Sequence, residues 1–235
     1  MVLLGIETAG RRGNVALWDA DRSRVIGSYR FPEGPSHARD IVPAIDETLT
    51  EAGLRKEEID AVAVSRGPGS FTGLRVGITC AKTMAYILQW QTVGVPSLEV
   101  LVQNVEPREY DARTACPLRD ARRGAVYGTL YRWEDQMWKD QTGVVLASPE
   151  EVRRQLPEGT VVFGSGLRAH REAFRESPDG SLIEGPESLE EARAEEVARV
   201  GARMIRAGKS VTPFELEPRY YRRTAAEDNL GKTVG

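Results

Sequence analysis

The glycine-rich turn at residues 66–75 holds the residues best spaced for chemistry. It reads Arg-Gly-Pro-Gly-Ser-Phe-Thr-Gly-Leu-Arg and stands between a predicted strand and a predicted helix. Glycine permits tight turns with positive φ, and the N–H groups and dipole at a helix start favour an anion. The candidate anion or nucleotide ligands are this turn and the carboxylate that ends the first strand: Glu7, Gly67, Gly69, Ser70, Thr72 and Gly73.

The same turn departs from three known motifs. A P-loop places a lysine before a Ser or Thr at the helix start, and this turn contains no lysine. A dinucleotide fingerprint needs glycine where Thr72 stands, and a nucleophile elbow needs glycine where Pro68 stands. Many ATPases place a carboxylate near Mg²⁺ at the position of Glu7, but a simple turn carboxylate fits equally well. We therefore assign no catalytic residue.

The histidines and cysteines predict no metal site. The only histidines are His37 and His170, and the residue four places after His37 is Ile41. A His-x-x-x-His pair on one helix face and a His-Glu-x-x-His motif are both absent, which argues against a zinc hydrolase. Cys80 and Cys116 match no metal spacing and are expected to be buried thiols in a reducing compartment.

The helix after the turn carries a row of small residues at every fourth position, which share one helix face. Such a row lets another element approach closely. It either packs against the chain's own sheet or meets a helix of a second protein, with the preceding helix completing the surface. The predicted partner interface comprises Ile41, Ile45, Leu49, Gly73, Leu74, Gly77, Ile78, Ala81 and Ala85.

The order of predicted elements indicates an α/β fold. Three strands with close turn signals predict an antiparallel meander, and the apolar run 59–65 predicts a buried parallel strand. Ser36 and Gly53 are the expected cap and end of the first helix. The predicted strands are 2–8, 14–19, 25–31, 59–65, 92–95 and 160–163; the helices are 36–53, 73–89 and 189–207; the domains are 1–104 and 105–223, with a disordered tail at 224–235.

Composition narrows the classes of function. The chain has 235 residues, 40% hydrophobic and 29% charged, with a formal net charge of -3. A role near RNA would therefore need a local basic patch or a partner, since the bulk charge is not that of a nucleic-acid binder. The N-terminus lacks the features of a signal peptide, and no apolar run could span a bilayer. A cytoplasmic protein without membrane contact is expected.

Residues 66–77 closely resemble the signature of the bacterial TsaB (YeaZ) family, which lies within the Gcp-like (M22) glycoprotease superfamily. Further matches occur at residues 4–8, 36–45, 120–127 and 218–223. This resemblance implies an ASKHA fold, the two-lobed architecture of actin and the sugar kinases. The family's usual Asp after the first strand is Glu7 here, and its Ser/Thr-rich turn is Ala-Gly-Arg-Arg, which weakens the case for nucleotide binding in the first lobe.

The resemblance also implies a function. The chain would be a non-catalytic accessory subunit that binds a TsaD-type catalytic paralogue in the synthesis of N6-threonylcarbamoyladenosine at position 37 of tRNA. A TsaE-type ATPase would join the complex, ATP and Mg²⁺ would belong to the partner subunits, and tRNA would be met only through the complex. A homodimer through the same helix face is expected when the partner is missing. The glycine-rich turn and Glu7 leave open a stand-alone ATP-dependent enzyme or a peptidase.

Overall fold

The chain folds into two β-sheets with helices packed around them. The computed structural model describes residues 1–32, 37–175 and 181–222. The predicted cap at Ser36 and the predicted tail at 224–235 lie outside these residues. Among the described helices, none is long and apolar enough to cross a membrane.

The first sheet contains the predicted meander. Its strands follow the order β3-β2-β1-β4-β5, in which the first three pair antiparallel and the last two run parallel to β1. Every residue of β4 is buried, as expected for a parallel strand covered on both faces. The meander and the parallel strand are therefore confirmed. The strands are β1 (Val2–Glu7), β2 (Asn14–Asp19), β3 (Arg24–Arg30), β4 (Ala61–Ser65) and β5 (Gln91–Val95).

Two helices cover one face of this sheet. Helix α1 (His37–Glu51) continues through Pro43 as one segment and ends just before Gly53, whose φ is +66°. Helix α2 (Phe71–Leu88) begins two residues before the predicted start at Gly73, because Ser70 caps it. The Ser70 side-chain oxygen accepts a hydrogen bond from the Gly73 backbone N–H at 3.1 Å.

A helix from the end of the chain covers the opposite face. The predicted helix 189–207 starts later than expected, since residues 187–190 form a 3₁₀ turn and α8 spans Ala194–Arg206. Glycines let α8 lie directly on the strands. A Cβ at Gly5 would stand 2.2 Å from the Ala194 carbonyl oxygen, and one at Gly201 would stand 2.3 Å from the Ala63 Cβ. The domain boundary at 104/105 stays a prediction. Helix α8 lies after that boundary in sequence, yet it covers one face of the first sheet.

The second sheet has the order β10-β7-β6-β11-β12, with β8 also on β6 and β9 on β8. One apolar cluster joins the two sheets, because Leu3 and Val93 of the first share it with Ala115 and Phe163 of the second. Its elements, with the flanking helices, are α3 (Ser97–Val102), α4 (Pro107–Tyr110), β6 (Thr114–Asp120), β7 (Val126–Gly128), β8 (Tyr131–Glu134), β9 (Met137–Asp140), β10 (Val145–Ala147), α5 (Pro149–Gln155), β11 (Val161–Phe163), α6 (Ser165–Ala169), α7 (Arg171–Arg175) and β12 (Ile183–Glu184).

The C-terminal segment, residues 211–222, returns to the first sheet and runs beside α2. Val211 forms an isolated antiparallel bridge with Thr92 of β5. Leu216 is only 1% exposed and belongs to the cluster between this sheet and helices α1 and α2. The segment therefore belongs to the first half of the molecule in space, although it is the last part of the described chain.

Candidate functional site

Glu7 ends β1 and is fully buried. One carboxylate oxygen accepts hydrogen bonds from the backbone N–H groups of Ala9 at 2.6 Å and Gly10 at 3.0 Å. The other accepts one from the Ser65 hydroxyl at the end of β4. Both oxygens thus hold the protein's own strand ends and the following turn together. This arrangement fits the simple turn carboxylate better than an open ligand position for a metal–nucleotide complex.

The glycine-rich turn packs against that same loop. Gly67 has φ +116°, and a Cβ there would stand 2.7 Å from the Arg219 carbonyl oxygen. A Cβ at Gly69 would stand 2.6 Å from the Ala9 Cβ. The Ser70 N–H donates to the Ala9 carbonyl oxygen at 2.9 Å. The glycines are thus needed for close contact between chain segments, independently of any ligand.

The structure brings the predicted anion ligands together at one strand-to-helix junction. Gly69, Ser70 and Thr72 lie at the surface, whereas Gly67 and Gly73 are buried. The Ser70 hydroxyl caps α2, and the N–H groups of Ser70 and Gly73 already have acceptors within the protein. An anion bound to the Ser70 and Gly73 N–H groups would have to displace these hydrogen bonds.

The small residues of α2 face inward. A Cβ at Gly73 would stand 1.9 Å from the Thr8 carbonyl oxygen, and one at Gly77 would stand 2.2 Å from the Thr8 Oγ1. The Thr8 hydroxyl also donates to the Gly73 carbonyl oxygen at 2.8 Å. The row of small residues therefore packs against the chain's own sheet, which was one of the two interpretations of the pattern. The whole predicted interface is buried within the chain: Ile41, Ile45, Leu49, Gly73, Leu74, Gly77, Ile78, Ala81 and Ala85.

A partner at these helices would instead meet the outward side chains of α2. The helix has two charged residues, and both turn toward the C-terminal segment. The Arg75 Nε donates to the Tyr220 hydroxyl at 3.0 Å, and the Lys82 Nζ donates to the Phe214 carbonyl oxygen at 3.4 Å. What remains is an exposed or half-buried surface without charge, here named the uncharged α2 face: Thr72, Val76, Thr79, Thr83 and Ile87.

Large apolar side chains remain exposed on this face and on the elements beside it. Ile87 is 68% exposed, and Val42 of the neighbouring helix α1 is 61% exposed. Tyr86 is also exposed and packs edge-on against Phe214, with ring centroids 5.5 Å apart. Large apolar side chains that remain exposed on neighbouring elements are a feature of protein interfaces. The residues that the sequence pattern assigned to a partner interface are buried, and that interface stays a prediction.

The turn after β6 lies where the second half of the chain meets the first. Arg119 is half-buried and donates from Nη1 to the Ala9 carbonyl oxygen at 2.9 Å, and desolvation of its guanidinium group lowers its pKa. Asp120 donates its backbone N–H to the Ser165 side-chain oxygen, pairs with Arg122 at 3.5 Å and lies 3.8 Å from the His170 Nε2. No local pattern marks Arg119, because its partner is a carbonyl oxygen distant in the chain.

Metal ligands do not gather in the part of the chain that the structure describes. No group of three or more His, Cys, Asp or Glu side chains there is placed to hold a metal ion. Cys116 is buried and Cys80 half-buried, and both are free thiols. Burial raises the pKa of Cys80 to about 11 and that of Cys116 to about 12. Both thiols are therefore poor nucleophiles in the folded protein.

Comparison with known proteins gives consistent matches over nearly the whole chain. Residues 33–212 match the family model described as "TsaD: tRNA N6-adenosine threonylcarbamoyltransferase". A protein of Escherichia coli K12 named "tRNA threonylcarbamoyladenosine biosynthesis protein TsaB" is 32% identical over 98% of both chains. A protein of the same name from Bacillus subtilis 168 is 29% identical, over 97% of this chain and 96% of its own.

A solved structure gives the same result for the fold. The structure described as "YeaZ from Pseudomonas aeruginosa" is 26% identical and superposes with a TM-score of 0.78, covering 93% of this chain and 100% of that one. The predicted α/β fold is confirmed by the two sheets and by this likeness.

Proposed function

Because the chain belongs to the TsaB family of tRNA threonylcarbamoyladenosine biosynthesis proteins, we propose that it is a non-catalytic subunit that supports a TsaD-type transferase. The observation that carries the proposal is the junction at Glu7. Its carboxylate and the N–H groups of Ser70 and Gly73 are engaged by the chain's own atoms. A junction closed in this way serves packing, and the chemistry then falls to a partner.

The uncharged α2 face, together with Val42, is the proposed binding surface for that partner. It is exposed, lacks charge and adjoins large apolar side chains, which suits a stable protein interface. The match of residues 33–212 to a transferase family model suggests a partner with a related fold. Two related folds can pair through equivalent helices, in the manner of a two-fold symmetric dimer. A second copy of this chain would compete for the same face.

The wider complex follows from the same proposal. A TsaE-type ATPase would join the pair, and ATP and Mg²⁺ would be bound by the partner subunits. Position 37 of tRNA would be modified by the complex and not by this chain alone. The cytoplasm, where tRNA is processed, is the proposed compartment.

The test is co-expression with the TsaD-type protein of the same organism. We expect Thr83→Glu and Ile87→Glu to abolish co-purification, because an unpaired charge buried in an interface costs about 3–5 kcal/mol. Gln155→Glu on α5 adds the same charge at an exposed position distant in sequence and is the matched control. A modification assay on unmodified tRNA, with and without this chain, measures the functional consequence.

Two results would contradict the proposal. One is unchanged co-purification and modification by both α2 variants. The other is ATP turnover or peptide cleavage by the isolated chain, which would favour a stand-alone enzyme. Light scattering of the isolated chain checks self-association, and Ile87→Glu should leave it monomeric if the same face forms a homodimer.

A further inference from the structure

The end of the C-terminal segment brings together arginines from three distant parts of the sequence. The Arg219 N–H donates to the Arg66 carbonyl oxygen at 2.7 Å, beside the glycine-rich turn. The Arg222 Nη1 donates to the Ala121 carbonyl oxygen at 2.7 Å, in the turn after β6. Arg75 of α2 is tied to the same segment through Tyr220. We name these residues the arginine cluster: Arg66, Arg75, Arg122, Arg219 and Arg222.

The positive charge of this cluster is largely uncompensated. Within the described residues, Arg66, Arg75, Arg219 and Arg222 have no carboxylate at salt-bridge distance. Arg122 forms an ion pair with Asp120 at 3.5 Å. Many arginines elsewhere are paired, as Arg203 is with Glu99 at 2.9 Å and Arg168 with Glu190 at 2.7 Å. On a chain with a net charge of -3, this is a local basic surface, and such surfaces attract polyanions.

Aromatic rings are interleaved with these arginines. The Arg75 guanidinium carbon lies 3.9 Å from the Phe71 ring centroid, and that of Arg219 lies 5.1 Å from the Tyr221 ring centroid. The Phe71 and Tyr220 rings pack against each other at a tilt of 32°, with centroids 5.0 Å apart, and the two residues are 42% and 43% exposed. Guanidinium planes and exposed aromatic faces are the groups on which unpaired bases stack. The rings also hold the guanidinium groups in place before any ligand binds.

We propose that the arginine cluster, with Phe71 and Tyr220, contacts an unpaired segment of the tRNA on which the complex acts. This inference rests on the proposed function in tRNA modification. Phosphates would pair with the uncompensated guanidinium groups, and a splayed base would stack on the exposed rings. An acidic protein segment would satisfy the arginines but would leave the rings without a matching partner, so the observations favour RNA.

The test uses the purified complex with the TsaD-type partner and a fluorescent, unmodified anticodon stem-loop RNA. We expect Arg75→Gln/Arg219→Gln to weaken binding about 10-fold at moderate salt and to reduce the slope of log K against log salt by about 1 to 2. The control Arg24→Gln/Arg108→Gln removes two exposed arginines outside the cluster. It should leave both the RNA affinity and the salt slope unchanged. Arg75→Lys/Arg219→Lys keeps the charge and should restore the salt slope.

A second variant separates stacking from charge. Tyr220→Ala should lower the affinity several-fold while leaving the salt slope unchanged, because a ring contributes stacking and no counterion release. Thermal unfolding and co-purification of each variant with the partner show that the fold and the complex are intact. These controls distinguish a failure of this inference from a failure of the proposed function, since the latter would appear as loss of the wild-type complex itself.

Two outcomes would overturn the inference. One is unchanged affinity and salt slope for both the arginine pair and Tyr220→Ala in an intact complex. The other is unchanged RNA binding with lost binding of the purified TsaE-type ATPase, which would make the cluster a docking surface for an acidic protein.

Discussion

At the scale of single residues, Glu7 shows how position alone can mislead. A carboxylate at the end of the first strand suggests a ligand for Mg²⁺, and the sequence left that possibility open. In the fold its two oxygens accept from Ala9, Gly10 and Ser65, and it is fully buried. Which donors surround a carboxylate depends on the path of the following turn and on a strand distant in the chain. Neither is encoded in the local pattern around Glu7.

Replacing Glu7 by alanine should destabilise the protein strongly. Two buried donors, on Ala9 and Ser65, and the half-buried N–H of Gly10 would lose their acceptor, and breaking a buried network in this way costs about 3–5 kcal/mol. Urea unfolding measured by circular dichroism gives the free energy of unfolding. Glu158→Gln alters an exposed carboxylate and should change that free energy by less than about 0.5 kcal/mol. Equal stability of Glu7→Ala and wild type would show that the junction is not structural.

At the scale of elements, most helices and strands of the first sheet followed from local patterns. The apolar run at 59–65 predicted β4, and the small residues of α2 marked a face of close contact. The pattern could not say what the face contacts, because a row of small residues fits the chain's own strand as well as a foreign helix. The contacts of the C-terminal segment and the place of α8 were missed, since both join residues distant in sequence.

The packing of α2 on β1 makes Gly73→Ala a sensitive test. Alanine should favour the helix by about 1 kcal/mol, but its Cβ would stand 1.9 Å from the Thr8 carbonyl oxygen. That oxygen belongs to backbone and cannot swing aside, so we expect a net loss of about 1–3 kcal/mol. Thr79→Ala, at an exposed position of the same helix, isolates the propensity term and should be neutral or slightly stabilising. A gain of stability in Gly73→Ala would contradict the internal contact.

The C-terminal segment depends on one buried anchor. Leu216 lies in the cluster beneath α1 and α2, so Leu216→Ala should lower the free energy of unfolding by about 2–5 kcal/mol. Phe214 is two residues away but 71% exposed, and Phe214→Ala should have a much smaller effect. Chemical denaturation of both variants gives the comparison. Similar losses for the two would mean that the segment is held by its surface contacts and not by the anchor.

At the scale of the whole molecule, the two proposed surfaces share helix α2 but use different sides. The uncharged face at Thr79, Thr83 and Ile87 would meet the partner subunit. The side with Phe71 and Arg75, bordered by the C-terminal segment, would meet RNA. Partner binding and tRNA contact would then be coupled through one rigid element, because both depend on how α2 packs against the first sheet.

The first sheet needs helix α8 to cover one of its faces, and the fragment 1–104 tests this requirement. This fragment corresponds to the sequence-predicted first domain but lacks α8 and Leu216. Val197, Ala198 and Gly201 would no longer cover β1 and β4, leaving one apolar face of the sheet exposed. We therefore expect no cooperative thermal transition and strong binding of a hydrophobic dye, as for a loosely packed state. The fragment 1–222 keeps every described element and should unfold cooperatively, close to the full chain. A sharp transition in the fragment 1–104, at the temperature of the fragment 1–222, would show instead that the first half folds without its last helix.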